Sequence, residues 1–250
     1  MRVIDLLGTP LTATTYAELT QHCQELVRTD GTWAIDLTNT QIVTMRAHEP
    51  AFRKTTDHFN FFVPDGMPLV WCLNRRGASL RDRVYGPTFM RKFLETASGT
   101  SKHYLIGGSA ECGHRLRDRF PKPNFVGSFH GKCDAEGILE GAAERQVIAD
   151  INRLCPDFIW VGLGAPKQYY WIKRNRNLLK HGVILSVGFA FDVNAGMKRD
   201  APAWMQRAGL TWLFRMGSEP RRLVTRYLRY NSLFLFYLTK DAITRRRTRA

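Results

Sequence analysis

The segment Phe62-Val-Pro-Asp-Gly-Met-Pro-Leu-Val-Trp71 runs one apolar stretch into Asp65-Gly66 and out into another. That pattern delivers a carboxylate to the mouth of a hydrophobic core, where partial desolvation raises its basicity and fits it to take a proton. Asp-Gly also makes ordinary turns, since Gly supplies positive φ and Asp tolerates the geometry. The residues that accompany it downstream point further. Gly162-Leu-Gly164 lets backbone approach phosphate oxygens closely, and a helix beginning near Pro166 would direct its partial positive end at them. Arg215, Arg221, Arg222 and Arg226 recur at helical spacings, which gathers fixed cations in one stretch of chain. A base at the mouth of a core, a turn that admits phosphate oxygens and a row of cations are parts of a site that acts on a phosphorylated substrate.

Elements able to hold these groups are legible as alternating patterns. Trp33 to Leu37, Phe59 to Val63, His103 to Ile106, Asn124 to Phe129, Phe158 to Val161 and Val183 to Val187 are apolar runs of strand length. Pro87 to Thr96, Ser109 to Phe120 and Ala142 to Leu154 lie between them with helical character. The alternation predicts an α/β fold: a Rossmann-like, largely parallel sheet with helices on both faces. Ligands of such sheets bind beyond the carboxyl ends of the strands. Gly107-Gly108, His130-Gly131, Gly162 to Gln168 and Phe191-Asp192 each follow a strand, so one cleft could collect them. After residue 195 the character changes to helices with mixed basic and aromatic faces. This divides the chain into an α/β core over 1–195 and a basic helical C-terminal appendage over 196–250.

Composition supports one sizeable core. The chain has 250 residues, of which 44% are hydrophobic, and a net charge of +15. Residues 196–250 hold thirteen Lys/Arg against three Asp/Glu, so this tail carries most of the excess and predicts a polyanionic neighbour. Five cysteines lack C-x-x-C spacing, which argues against a zinc site or a disulfide framework and for a reducing compartment. The N-terminus has no secretory apolar region, and the run Leu233 to Leu238 is far shorter than the roughly 20 residues a spanning helix needs.

Taken in order, Asp65-Gly66, Arg83-Val-Tyr-Gly-Pro87, Tyr104-Leu-Ile-Gly-Gly108, Pro156 to Gln168, Val187-Gly-Phe-Ala-Phe-Asp192, Trp212-Leu-Phe-Arg215 and Glu219-Pro-Arg-Arg-Leu223 resemble the WecG/TagA/CpsF family, glycosyltransferase family 26. The likeness runs over about residues 35 to 230. It implies an inverting, metal-independent hexosyltransferase. Such an enzyme moves a sugar from a UDP-sugar donor to a polyprenyl-diphosphate-linked saccharide during bacterial cell-surface polysaccharide synthesis, with a β-linked product. It also implies a place on the cytoplasmic, inner face of the cell membrane, peripherally bound to anionic lipid. Asp65 matches the family's base. Thr38 and Asn39 match a cleft-lining segment, Asn39 the better of the two because Leu37 stands where the family threonine usually does. Arg83 matches an arginine thought to hold a phosphate, a task its planar fork suits. Gln168 matches an amide that could bond sugar hydroxyls, and Asp192 an acid that could bond a ribose or cap a helix. His130 and the glycines at 107 and 108 complete the implied nucleotide side. Arg215, Arg221, Arg222 and Arg226 match basic positions proposed to close over the site. Three residues depart: Tyr169 and Thr211 stand where relatives have Glu, and Asp200 where they usually have Arg. They mark a divergent subgroup with its own donor or acceptor.

Missing motifs narrow the reading. No Asp-x-Asp occurs, so no metal clamp is expected, and no P-loop or Gly-x-Gly-x-x-Gly follows a strand, which disfavours an ATPase or a dehydrogenase. The remaining histidines show no metal-ligand spacing, and no cofactor is expected. The alternative, a non-enzymatic basic module binding nucleic acid through residues 196–250, explains the charge but not Asp65-Gly66, Gly162-Leu-Gly164 or Asp192, so no nucleic-acid partner is expected. The donor sugar and the oligomeric state stay open, a homo-oligomer included.

Overall fold

In the computed structural model, which describes residues 1–131, 133–139 and 143–249 and side chains through Thr244, the central strands send alternate residues into two apolar layers. Ile159 and Val161 join one layer while Phe158 and Trp160 join the other, and Ile184 is likewise opposed to Val183 and Leu185. This period of two, with every member apolar, marks a sheet covered on both faces.

The strands are β1 Arg2–Leu6, β2 Thr9–Ala13, β3 Gly31–Thr38, β4 Phe61–Pro64, β5 Lys102–Gly107, β6 Asn124–Phe129, β7 Phe158–Gly162 and β8 His181–Ser186. They lie in the order β1-β2-β4-β3-β8-β7-β5-β6. The pairings are parallel apart from the β1–β2 hairpin, whose two-residue turn places both Leu7 and Gly8 at positive φ. Turns of that kind match the twist of paired strands.

The helices are α1 Tyr16–Leu26, α2 Thr40–His48, α3 Pro50–Thr56, α4 Met67–Asn74, α5 Gly86–Thr96, α6 Ala110–Arg119, α7 Ala143–Leu154, α8 Lys167–Asn175, α9 Ala190–Asn194, α10 Ala203–Arg207, α11 Thr211–Ser218 and α12 Pro220–Arg249. The helix expected from Ala142 thus begins, within the described residues, at Ala143; Ala142 itself lies outside them. The expected strands and helices stand within about two residues of their sequence limits. The β1–β2 hairpin is absent from the sequence reading, because Asp5, Thr9 and Thr12 break its apolar pattern.

The C-terminal helices pack onto the sheet's helical layer. Leu223 and Phe234 of α12 are buried, and Phe234 belongs to the same apolar layer as Ile42, Val43 and Met45 of α2. Polar contacts fix the docking: the Tyr230 hydroxyl donates to Glu49 Oε1 at 3.0 Å, Tyr237 Oη lies 2.8 Å from His48 Nδ1, and Arg76 pairs with Asp241 at 2.7 Å. With 30 residues, α12 extends about 45 Å. Among the described residues no helix is long and apolar enough to cross a membrane.

Candidate active site

Four neighbouring strands, β4, β3, β8 and β7, end side by side, and their carboxyl ends build one cleft of about 500 Å³. Each contributes its first loop residues: Asp65 after β4, Asn39 after β3, Val187 to Phe189 after β8, and Leu163 to Ala165 after β7. The opposite wall comes from the C-terminal helices, through Arg215 of α11 and Arg222, Arg226 and Tyr227 of α12. Arg222 and Arg226, four residues apart, share a helix face.

Asp65 sits between the end of β4 and the first turn of α4. Its main chain is fixed on both sides, since its N–H donates to Thr38 O at 2.7 Å and its carbonyl accepts from Arg83 Nη1 at 3.4 Å. Its carboxylate accepts one backbone bond, from Gly86 N at 3.3 Å. Desolvation pushes its pKa up to about 7, against the opposing pull of Arg83, the Gly86 N–H and Arg215. A carboxyl poised there is half ionised near neutrality, which suits proton transfer.

The Arg215 guanidinium lies 3.9 Å from the centre of the Phe189 ring, and its buried Nε has no hydrogen-bond partner among the described residues. Arg226 Nε is likewise buried and unpartnered, and burial lowers the pKa of this arginine with help from neighbouring Arg215 and Arg222. Among the described residues, Arg222 alone of the three pairs with a carboxylate, Glu219, at 2.7 Å. Crowded cations with unmet N–H groups form a site that an anion would complete.

Against this geometry, comparison with known proteins is specific. The profile of the Glycosyl transferase WecG/TagA/CpsF family matches residues 4–248. The chain belongs to this family. It is therefore a glycosyltransferase. Two similar proteins, from Staphylococcus aureus strains MRSA252 and MW2, are 27% and 26% identical over 227 residues, covering 88% of this chain and 86% of theirs. Both carry the name N-acetylglucosaminyldiphosphoundecaprenol N-acetyl-beta-D-mannosaminyltransferase.

Within this glycosyltransferase the residues singled out from sequence divide into two groups. Asp65, Asn39, Gly162, Gly164, Gln168, Asp192, Arg215, Arg222 and Arg226 line the cleft. Asn39 also caps α2, its side chain accepting from Ile42 N at 3.3 Å, and Asp192 pairs with Lys198 at 3.0 Å. Pro166 stands at the start of α8, as expected, beside lining residues Ala165 and Lys167.

The second group lies off the lining. Thr38 is fully buried and donates to Asp36 Oδ2 at 2.6 Å. Arg83 is buried behind Asp65, stacked 4.1 Å from the Tyr85 ring and donating to Thr211 Oγ1 at 2.9 Å. Arg221 is exposed on α12, turned from the face that carries Arg222 and Arg226 into the cleft. Gly107 ends β5, Gly108 follows it, and His130 follows β6, the two strands beyond the four whose ends form the cleft. A Cβ on Gly107 would lie 2.8 Å from Gly162 C, and His130 packs over Gly113 with Nδ1 3.1 Å from Gly107 O and its buried Nε2 without a partner among the described residues.

Sequence reasoning missed Asp36, Tyr85, Ser186 and Phe189. Asp36 is fully buried, and desolvation raises its pKa to about 6 despite bonds from Thr38, Tyr169 and Ser186. The one available signal was an acid flanked by Ile35 and Leu37 inside an apolar strand. The three departures from the family pattern all hydrogen-bond within the protein: Tyr169 to Asp36, Asp200 to the Tyr85 hydroxyl at 2.6 Å, and Thr211 to Arg83.

Proposed function

We propose that this cleft carries out inverting transfer of a hexose-type sugar from a UDP-sugar to a polyprenyl-diphosphate-linked saccharide. Asp65 acts as the base. Its carboxylate takes the proton of the acceptor hydroxyl as that oxygen attacks the anomeric carbon from the face opposite the diphosphate. The bond from that carbon to the phosphate oxygen breaks, and UDP leaves. Arg215, Arg222 and Arg226 neutralise the charge that grows on it. Attack opposite the leaving group inverts the anomeric centre, in keeping with the β-linkage in the relatives' names.

The observation that carries this reading is the pairing of opposites across one cleft. A carboxyl with its pKa near 7 faces a wall with two buried arginine nitrogens that have no partner among the described residues. Gly164, at φ +80 with open space where a Cβ would be, lets a phosphate approach the loop closely, and α8 begins three residues later. The acceptor's lipid implies work at a bilayer. On α12, Leu228, Leu235 and Phe236 are 59%, 64% and 60% exposed, with Arg221, Arg229 and Lys240 exposed on the same helix. Apolar side chains edged by cations suit an anionic lipid surface, where each basic residue contributes on the order of 1 kcal/mol.

The test is direct. UDP-N-acetylmannosamine and a short-chain polyprenyl-diphosphate N-acetylglucosamine are the first donor and acceptor to supply, followed by a panel of other UDP-sugars. Formation of a β-linked disaccharide-lipid with release of UDP supports the proposal. UDP-sugars that neither bind nor react would refute it.

A further inference from the structure

We propose that Asp36, Ser186 and Tyr169 form a buried polar relay that fixes which way round the Gln168 amide sits, and so presents the Gly162–Gly164 loop to the donor. The inference rests on the donor reading above and deepens it. It makes these three positioning residues for nucleotide-sugar binding.

The relay has a direction. Asp36 Oδ1 accepts from the Tyr169 hydroxyl at 2.8 Å and from Ser186 Oγ at 2.9 Å, while Oδ2 accepts from Thr38 Oγ1 at 2.6 Å. An ionised carboxylate is acceptor-only, so all three hydroxyls point their protons at it. Ser186 has a single hydroxyl proton, and Asp36 holds it. Its oxygen can then only accept, which it does from Gln168 Nε2 at 2.6 Å. The other end of that amide is thereby Oε1, which accepts from Gly164 N at 3.1 Å. A flipped amide would be mismatched at both ends: Oε1 would face the Ser186 oxygen, whose proton is already committed, and Nε2 would face the Gly164 N–H. One buried and one half-buried bond would be lost at once.

Polarity set in β3 therefore passes through β8 to the loop between β7 and α8. The amide has no room to wander, since it is 5% exposed and a Cβ on Gly188 would lie 3.3 Å from Oε1. Ser186, Gln168 and Tyr169 all line the cleft floor, so the relay touches the site it orients. Position 169 gains a role that its departure from the family pattern left unexplained. Its phenol, edge-on to Phe52 and beside Phe59, is a donor turned inward to Asp36, where a carboxylate would instead oppose a second acid.

Four variants test it, read by calorimetric UDP binding and by donor KM against kcat. Tyr169→Phe and Ser186→Ala each remove one oxygen and keep the packing. Each is expected to weaken UDP binding and raise donor KM about tenfold, with kcat at saturating donor within about threefold. Gln168→Glu keeps an acceptor for the Gly164 N–H but sets a second acceptor against the Ser186 oxygen, whose proton Asp36 holds, and should weaken binding more. Adding Asp36→Asn to Gln168→Glu reverses the relay: the introduced amide at position 36 donates to the Ser186 oxygen, and the Ser186 proton turns to the introduced carboxylate at position 168. The double variant should therefore bind UDP about tenfold tighter than Gln168→Glu alone, whereas residues that merely fill space would give additive losses. Folded Tyr169→Phe and Ser186→Ala proteins that bind UDP like the wild type overturn the inference alone, as does a folded double variant without recovery. Wild-type protein that binds no UDP overturns the donor assignment and this inference together.

Discussion

A carboxylate that must accept a proton works best with a pKa near the working pH, and burial brings Asp65 to about 7. The base must be ionised, so kcat/KM should rise with pH, about tenfold per unit below 7, and level off above it. Arg215 opposes the upward shift. Arg215→Met should therefore move that rising limb to higher pH, besides slowing the reaction through loss of a cation at the leaving group. A pH–rate profile of both proteins reads the difference, and an unmoved limb would separate Arg215 from Asp65. The same shift has a stability consequence. A carboxyl whose folded pKa is raised holds its full stability below its unfolded value, about 4, and loses it as pH rises through 7. Asp65→Asn, which keeps an acceptor for the Gly86 N–H, should accordingly raise Tm relative to wild type at pH about 8 and not at pH about 4.

Among the elements, α12 contributes to both the cleft and the core. Phe234 is 4% exposed within the layer that contains α2, so Phe234→Ala should destabilise the protein by about 3–5 kcal/mol in urea unfolding. A helix that only leaned on the surface would show far less. The strands and central helices were legible because each sheet strand buried on both faces is a bounded apolar run, and each run is followed by turn residues. Which strand ends come together was not legible. Gly107, Gly108 and His130 end or follow strands as the cleft residues do, yet strand order, a non-local property, sets β5 and β6 beyond the cleft. Arg83 shows the same gap at the level of a single side chain: its type suits phosphate, but Thr211, 128 positions away, and the Tyr85 ring hold it in place. Asp36 was hidden because its partners come from β8 and α8, which only folding brings to β3.

At the scale of the whole molecule, the segment of the sequence richest in positive charge is also one that exposes large apolar side chains. The tail carries a net +10 of the chain's +15, and α12 exposes Leu235 and Phe236 beside Lys240. The account expects sedimentation with anionic liposomes that weakens with salt, as a screened surface attraction should. Leu235→Ser with Phe236→Ser should reduce liposome binding while UDP binding stays unchanged, since neither residue lines the cleft. Equal sedimentation of the variant and the wild type would assign the lipid contact elsewhere.

The central claim is that Asp65 takes the acceptor's proton in a cleft whose cations hold the donor independently of it. It is tested most directly by comparing Asp65→Asn with wild type in two measurements on the same preparation, UDP binding and sugar transfer. The account predicts UDP affinity within a few-fold of wild type and turnover reduced roughly 100- to 10,000-fold. Turnover close to wild type, with the nucleotide still bound, would contradict it.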